Sequence, residues 1–404
     1  MATLLCGTIE AAAQRPQTRP SQTDDRHPVA TDARLGGDER QTRLVMDLTR
    51  KIELHAFTLA DPYRVVIDLP QVTFKLPPKV GETSRGLVKA FRFGLVMQGG
   101  SRMVIDTSKP VRIEKAFVLD AADGQPARLV LDLTATDRES FLRTIALDAR
   151  PARTPVESKI DRDPVNKGDP RPIIVIDPGH GGIDFGTQAG GEVVEKDLVL
   201  SFGLLLRDQI EKTGKYRVVM TRSDDSFVEL GDRVRMARMR KAALFISIHA
   251  DSLKKGEGDA QGATVYTLSD TATDAEAARL AESENRADVI AGIDLSQEPN
   301  DVAEILIDFA QRETKLFSNH FAKTLVTELR NVARLHKHPL KSAGFKVLKS
   351  PDVPSVLIEL GYVSSKQDLK ALTSDTWRAR TAGAIVQAID TFFSTRLANT
   401  GRPN

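Results

Sequence analysis

The stretch Ile173 to Gly182, IIVIDPGHGG, limits what the chain can fold into more than any other. Four β-favouring apolar residues run straight into Asp177, Pro178, Gly179 and His180. A continuous apolar run bounded by turn residues reads as a buried central strand. Pro178 and Gly179 stop it. His180 is therefore expected at the carboxyl end of a core strand, where open α/β sheets hold their ligands. Gly181 and Gly182 leave the backbone beside it open to close approach. Taken alone, His180 could equally be a turn histidine that satisfies Asp177.

At 404 residues the chain exceeds one ordinary core, so two domains and linkers are expected. A net charge of +2 gives no electrostatic case for nucleic acid. No apolar stretch reaches the length of a membrane span. The segment LLCGTIEAAAQ reads as the tail of a secretory signal peptide, residues 1–13, with its basic front end missing; the alternative is a disordered cytosolic N-terminus. The single cysteine, Cys6, cannot form an internal disulfide, and bulky Leu5 before it argues against a lipoprotein.

Residues 14–40 are polar and lack apolar periodicity, so they read as a disordered lead-in. From 41 to 135 the pieces TRLVMDLT, YRVVIDLP, SRMVIDTS and ARLVLDLT alternate with Gly, Pro and Asp breaks, which predicts a small all-β sandwich. The acid closing each piece (Asp47, Asp68, Asp106, Asp132) reads as a strand-end or turn residue rather than a metal cluster. His55 reads as a surface or edge residue. Residues 136–171, charged and punctuated by Pro151, Pro155, Pro164 and Pro170, read as an interdomain linker.

The second domain is expected over 172–398. After the opening strand, EKDLVLSFGLLLRDQIEKTG has helical apolar spacing and ends at Gly214. YRVVMTR, ALFISIHAD, GATVYTLS, GFKVLKS and VPSVLIELGYVS read as strands, SFVELGDRVRMARMRKA as a turn into a basic amphipathic helix, and the segment from Ser374 to about Leu397 as a closing helix. A charged helical insertion occupies about 273–335. Strands alternating with helices predict an α/β fold, a mostly parallel twisted sheet with helices on both faces.

His180 and His249 each follow an apolar strand, so both should lie on one rim of the sheet. Glu195, in VVEKD, opens the first helix, which puts its carboxylate on the same rim. Two imidazoles and a carboxylate are a standard catalytic zinc shell with one position left for water. The alternative is a helix-capping glutamate and two unrelated histidines. Glu359 ends SVLIEL on that rim, where a carboxylate is costly unless used or paired. Beside such a metal it would be the general base, then the acid for the leaving amine; otherwise it pairs with Arg222 or Arg233. His336 and His338, in LHKHP, could form an HxH metal pair, but their place ahead of Pro339 favours a solvated or substrate-facing polar loop; His320 is placed on a helix surface.

Together DPGHGG, VVEKD, VVMTR, FISIHAD and SAGFKVLKSPDVPSVLIELGYVS resemble the zinc N-acetylmuramoyl-L-alanine amidases of bacterial cell walls, over about Pro172 to Leu397. The preceding β region resembles the AMIN domain of the Gram-negative cell-division amidases (the AmiC/AmiB type), which directs them to peptidoglycan or the septum. The resemblance implies one Zn2+ per chain on His180, Glu195 and His249, with Glu359 as catalytic acid/base. It implies hydrolysis of the amide between N-acetylmuramic acid and L-alanine of the stem peptide, for septal wall splitting in the periplasm by a monomer. AEAARLAESENRADVIAGID resembles the regulatory helix of that subgroup, in which a glutamate fills the open zinc position until an activator of the LytM-domain type removes it. Glu284 is the candidate plug and Glu282 the second, against an ordinary solvated acidic face. The family often has Asn at the second serine of GYVSS; here Ser365 is left as a capping residue. Two other functions fit parts of the pattern. One is a zinc carboxypeptidase or deacetylase acting on the same polymer. The other is a wall-binding adaptor with a dead hydrolase domain, against which the intact set of His180, Glu195, His249 and Glu359 argues.

Overall fold

The computed structural model describes residues 27–97, 99–122, 124–148, 169–189, 193–252, 261–293 and 304–400. The expected leader, Cys6 and much of the expected linker lie outside them. The N-terminal domain is a β sandwich. Its strands are β1 (Val29–Gly37), β2 (Gln41–Leu48), β3 (His55–Leu59), β4 (Arg64–Pro70), β5 (Thr73–Phe74), β6 (Val88–Met97), β7 (Gly100–Thr107), β8 (Val111–Leu119) and β9 (Ala127–Ala135). They form a five-stranded sheet in the order β5-β1-β2-β9-β8 and a four-stranded sheet in the order β3-β4-β7-β6. Strict alternation builds the core: Val65, Ile67 and Leu69 of β4 and Met103 and Ile105 of β7 face the first sheet. Val66 and Val104, between them, face outward and pack against the second domain.

Two boundaries differ from the sequence expectation. β1 lies inside the stretch read as a disordered lead-in. Its inward side is filled by Ala30 and Ala33, with a register shift between Ala30 and Asp32, so it carries no strong apolar period. The stretch read as linker begins with a helix, α1 (Arg138–Asp148). Asp137 caps it by accepting from the Ser140 backbone N–H at 2.8 Å, and Phe141 buries edge-on against Tyr63. The four recurring aspartates are cross-strand partners rather than turn residues: Asp47 pairs with Arg34, Asp68 with Arg102, Asp106 with Arg92 and Asp132 with Arg43.

The second domain continues with β10 (Ile173–Pro178), the short ribbon β11 (Gln188–Ala189) and β12 (Val193–Val194), α2 (Glu195–Lys212), β13 (Arg217–Met220), α3 (Leu230–Met239), β14 (Leu244–His249) and β15 (Ala263–Leu268). The insertion supplies α4 (Ala275–Glu284), α5 (Ala287–Ile290) and α6 (Glu304–Leu329). β16 (Leu335–Ala343), β17 (Ser355–Glu359), α7 (Lys366–Leu372) and α8 (Asp375–Thr400) complete the chain. The sheet order is β13-β10-β14-β17-β15-β16, and only the β15–β17 pairing is antiparallel.

Both faces of this sheet are buried, which explains the unbroken apolar runs. Leu244, Ile246 and Ile248 of β14 face the layer that holds α2, α6 and α8. Phe245 faces the other side, which α3, α4, α5 and the outer face of the sandwich cover together. LHKHP is not a loop but the start of β16; as the edge strand it tolerates Pro339. GFKVLKS is not a strand: Lys346–Leu348 form a single 3-10 turn with Phe345, Val347 and Leu348 all buried. Ser365 does cap a helix, accepting from the Asp368 N–H at the start of α7.

Candidate metal centre and catalytic cleft

β10 and β14 are adjacent and parallel, so their carboxyl ends share a rim. The chain leaves β10 through a turn closed by two hydrogen bonds between Gly181 and Asp184. Just before it His180 takes a left-handed backbone at φ 58°, unusual for a residue with a side chain. Asp184 Oδ2 lies 2.9 Å from His180 Nδ1, so a proton held there leaves Nε2 bare and aimed inward. His249 ends β14 with its ring 4.8 Å from that of His180. Glu195, the first residue of α2, is wholly buried. Its Oε2 accepts from the Thr187 N–H and hydroxyl, and its Oε1 from the Ala250 N–H at 2.8 Å.

These residues converge. The ligand atoms of His180, Glu195 and His249 all lie within 4.8 Å of one another. His180 Nε2 and His249 Nδ1 are buried with no hydrogen-bond partner in the protein, an arrangement costly for neutral rings left dry. Glu195 Oε1 is 3.2 Å from the first and 3.4 Å from the second. Glu284 ends α4, and its Oε2 is 3.5 Å from His180 Nε2 and 3.2 Å from His249 Nδ1. Ligands bound at zinc distances of roughly 2.0–2.1 Å in a tetrahedron stand about 3.3 Å apart. The donor set of His180, Glu195 and His249 therefore fits a divalent metal ion, zinc among them, and Glu284 Oε2 faces the same two ring nitrogens. Burial raises the Glu284 carboxyl above its ordinary range, while the two imidazoles pull it down. Glu282 is exposed, on the other side of the same helix.

Glu359 pairs with His249 in register across β17 and β14, so both side chains share a face. It is wholly buried. Its Oε2 accepts from the Asp251 N–H at 2.9 Å, while Oε1 has no partner. Burial pushes this carboxyl well above the carboxylate range, and Asp251, Glu195 and Glu284 push it further. Asp251 is itself pushed up to about 8, by burial first and then by Glu195 and Glu284.

Neither arginine considered as a partner for Glu359 is engaged with it. Arg233 is buried against Asp177 at 2.7 Å and donates to the Pro178 and His180 carbonyls. Arg222 donates to the Pro178, Gly179 and Lys196 carbonyls. Together they fix the turn that carries His180. Asp184, Asp251, Arg222 and Arg233 were not assigned these roles from sequence. Only Asp184, four residues past His180, left a local signal. His336 is buried and His338 donates its N–H to His336 Nδ1. His320 and His55 are exposed, as expected.

The segment that brings Glu284 to the triad is held at both ends. At its start, Lys341 of β16 sits 3.0 Å from Glu276 and 3.2 Å from Asp274. Past its end, the outer face of the sandwich takes over. Arg64 donates to the Val289 carbonyl at 2.7 Å, Arg92 to that of Ile290 at 2.6 Å, and Arg102 to those of Ala291 and Gly292 at 3.2 and 3.4 Å. Asp106 and Asp68 orient the second and third of these arginines. The same sheet reaches the His180 turn, where the Ile183 N–H donates to the Leu95 carbonyl at 3.1 Å.

Comparison with known proteins gives a consistent result. The family model described as N-acetylmuramoyl-L-alanine amidase matches residues 174–391, and the AMIN domain model matches residues 32–133. The chain is 32% identical over 391 residues to the N-acetylmuramoyl-L-alanine amidase AmiC of Neisseria meningitidis serogroup B, covering 93% of this chain and 92% of that protein. It is also 32% identical over 372 residues to AmiC of Escherichia coli O6:H1, covering 87% of each. Among solved structures, the N-acetylmuramoyl-L-alanine amidase AmiC2 of Nostoc punctiforme is similar with a TM-score of 0.39 at 25% identity, over 56% of this chain and 99% of that one.

Proposed function

The chain belongs to the N-acetylmuramoyl-L-alanine amidases with an N-terminal AMIN domain, and from that premise we propose a zinc enzyme of the cell wall that is held shut by its own insertion. One zinc per chain is held by His180, Glu195 and His249. The bond cut is the amide between N-acetylmuramic acid and L-alanine of peptidoglycan, during septal splitting in the periplasm. The observation that carries this reading is the pair of buried, unpartnered ring nitrogens facing Glu195 Oε1.

Zinc bound there would supply Lewis acidity to the scissile carbonyl and to the hydrolytic water. The chain does the rest. Asp184 keeps the proton of His180 on Nδ1. The Asp251 N–H holds Glu359 Oε2, so the unpartnered Oε1 is the atom that takes the proton of the attacking water and returns it to the leaving nitrogen.

Glu284 blocks this sequence by taking the fourth ligand position. Holding 99% of molecules shut takes a bias of only about 2.7 kcal/mol. Opening then requires a partner that binds the open form better, and an activator of the LytM-domain type fits that role. The test is mass spectrometry of purified sacculi digested by zinc-loaded wild type and Glu284→Ala. Free stem peptides beginning with L-alanine, roughly 10–100-fold more abundant with the variant, are the expected outcome. Equal release from both would overturn Glu284 as the plug. Loss of terminal D-alanine or of acetyl groups instead would move the enzyme to the carboxypeptidase or deacetylase reading.

A further inference from the structure

The face of the sheet that α4 covers carries more polar chemistry than hydrolysis needs. Register places Thr264 of β15 beside Glu359, Tyr266 beside Leu357, and Lys341 of β16 beside Tyr266. Residues paired in this way share a face. One face therefore runs from the metal rim through Glu359 and Thr264, and then two residues along β15 to Tyr266 and its neighbour Lys341. Thr264 Oγ1 is buried and has no hydrogen-bond partner in the protein, like Glu359 Oε1 next to it. At the far end the Lys341 side chain is wholly buried, and among the described residues its charge is met only by Glu276 and Asp274 of α4 and its N-cap. The Tyr362 hydroxyl donates to the other Glu276 oxygen at 2.9 Å, and His336 Nε2 stands 3.8 Å from the carboxylate.

One helix thus delivers acids to two places, Glu284 to the metal ligands and Glu276 to a cationic receptor. They are eight residues apart, which along a helix is about 12 Å. An extended peptide covers that distance in three to four residues at roughly 3.3–3.6 Å each, less the reach of an acidic side chain.

We propose that Lys341, with Tyr362 and His336, is the subsite for a carboxylate of the peptide stem, and that α4 occupies the cleft as a mimic of that anionic peptide. The proposal rests on the amidase reading and on α4 leaving the cleft. Once α4 departs, Lys341 loses both counter-charges, and a carboxylate two or three residues beyond the scissile amide restores them. Lys341 is then a specificity residue: it selects stems that carry free carboxylate over those in which it is amidated.

The test starts from Glu276→Ala/Glu284→Ala, in which α4 brings no acid to either place. Zinc-loaded samples with Lys341, Lys341→Met and Lys341→Arg are compared on N-acetylmuramyl-L-alanyl-D-glutamate and its diamide, in which both glutamate carboxyls are amidated. Hydrolysis is followed by chromatography and binding by calorimetry. With Lys341 the acid form should be preferred roughly tenfold or more. Lys341→Met should bring the ratio to about one, and Lys341→Arg should keep most of it. A ratio that is the same with lysine and methionine, whether high or one, overturns the proposal, since a purely structural lysine would lower both substrates together. Charge-dependent binding without hydrolysis would instead overturn the reaction and keep the subsite.

Discussion

At the scale of single residues, the site depends on close packing behind the metal ligands. A Cβ on Gly179 would overlap the His249 ring, and one on Gly186, already at φ 65°, would crowd Glu195 and His180. Gly179→Ala should leave the fold intact by circular dichroism yet weaken zinc binding roughly 10–100-fold in a chelator competition; unchanged affinity would show that the ring has room to move. The cluster of His180, Glu195 and His249 was legible in the sequence because each sits at or just past an element end: His180 follows an apolar strand, His249 closes one and Glu195 opens a helix. What stood out of reach was everything that depends on distant pairing. Asp177 is held by Arg233, Thr221 and Ser247, contributed by other parts of the chain, and no local pattern announces such a partner. Arg222 and Arg233 were seen as charges but not as clamps on carbonyls.

At the scale of elements, α4 is built to dock shallowly. Its buried side is mainly Ala277, Leu280 and Ala281, ahead of Glu284. Small side chains let the helix lie close to the sheet but give up little apolar area on leaving. Asn285, at its C-terminus, pins it by donating to the Gly344 carbonyl at 2.8 Å and accepting from the Lys346 N–H at 2.7 Å. Asn285→Ala should cost the proposed closed form about 1.4 kcal/mol, about half of the roughly 2.7 kcal/mol that a 99% closed population requires. Basal hydrolysis of sacculi should then rise about tenfold; a folded variant with wild-type basal rate would remove Asn285 from the latch. The sequence showed α4 as a charged helix, while its buried side was too short of large apolar residues to be read. The edge strand β16 and the alanine-lined β1 were missed for the same reason. A strand or helix that contributes few large side chains leaves a weak period, however firmly its neighbours hold it.

At the scale of the whole molecule, the sandwich and the hydrolase domain are packed together on the side where the insertion lies. Val66 and Val104 of the sandwich touch Gly292, and three arginines of the same face serve four consecutive carbonyls of the insertion. Arg92→Ala combined with Arg102→Ala should raise basal hydrolysis roughly tenfold or more, since charge-assisted hydrogen bonds are worth about 1.5–3 kcal/mol each where buried. A thermal scan showing that the sandwich still melts as in wild type makes an unchanged rate decisive against the coupling. The strand pattern revealed that a sandwich was present but not which of its faces was taken, because Arg64, Arg92 and Arg102 look like ordinary surface charges in sequence. A ligand that captured those arginines would draw on the donors that keep the insertion down. By reciprocity its grip would tighten by whatever factor it loosens the closure. A copy adrift from its target would stay safe to its surroundings, and one that had arrived would already be half released.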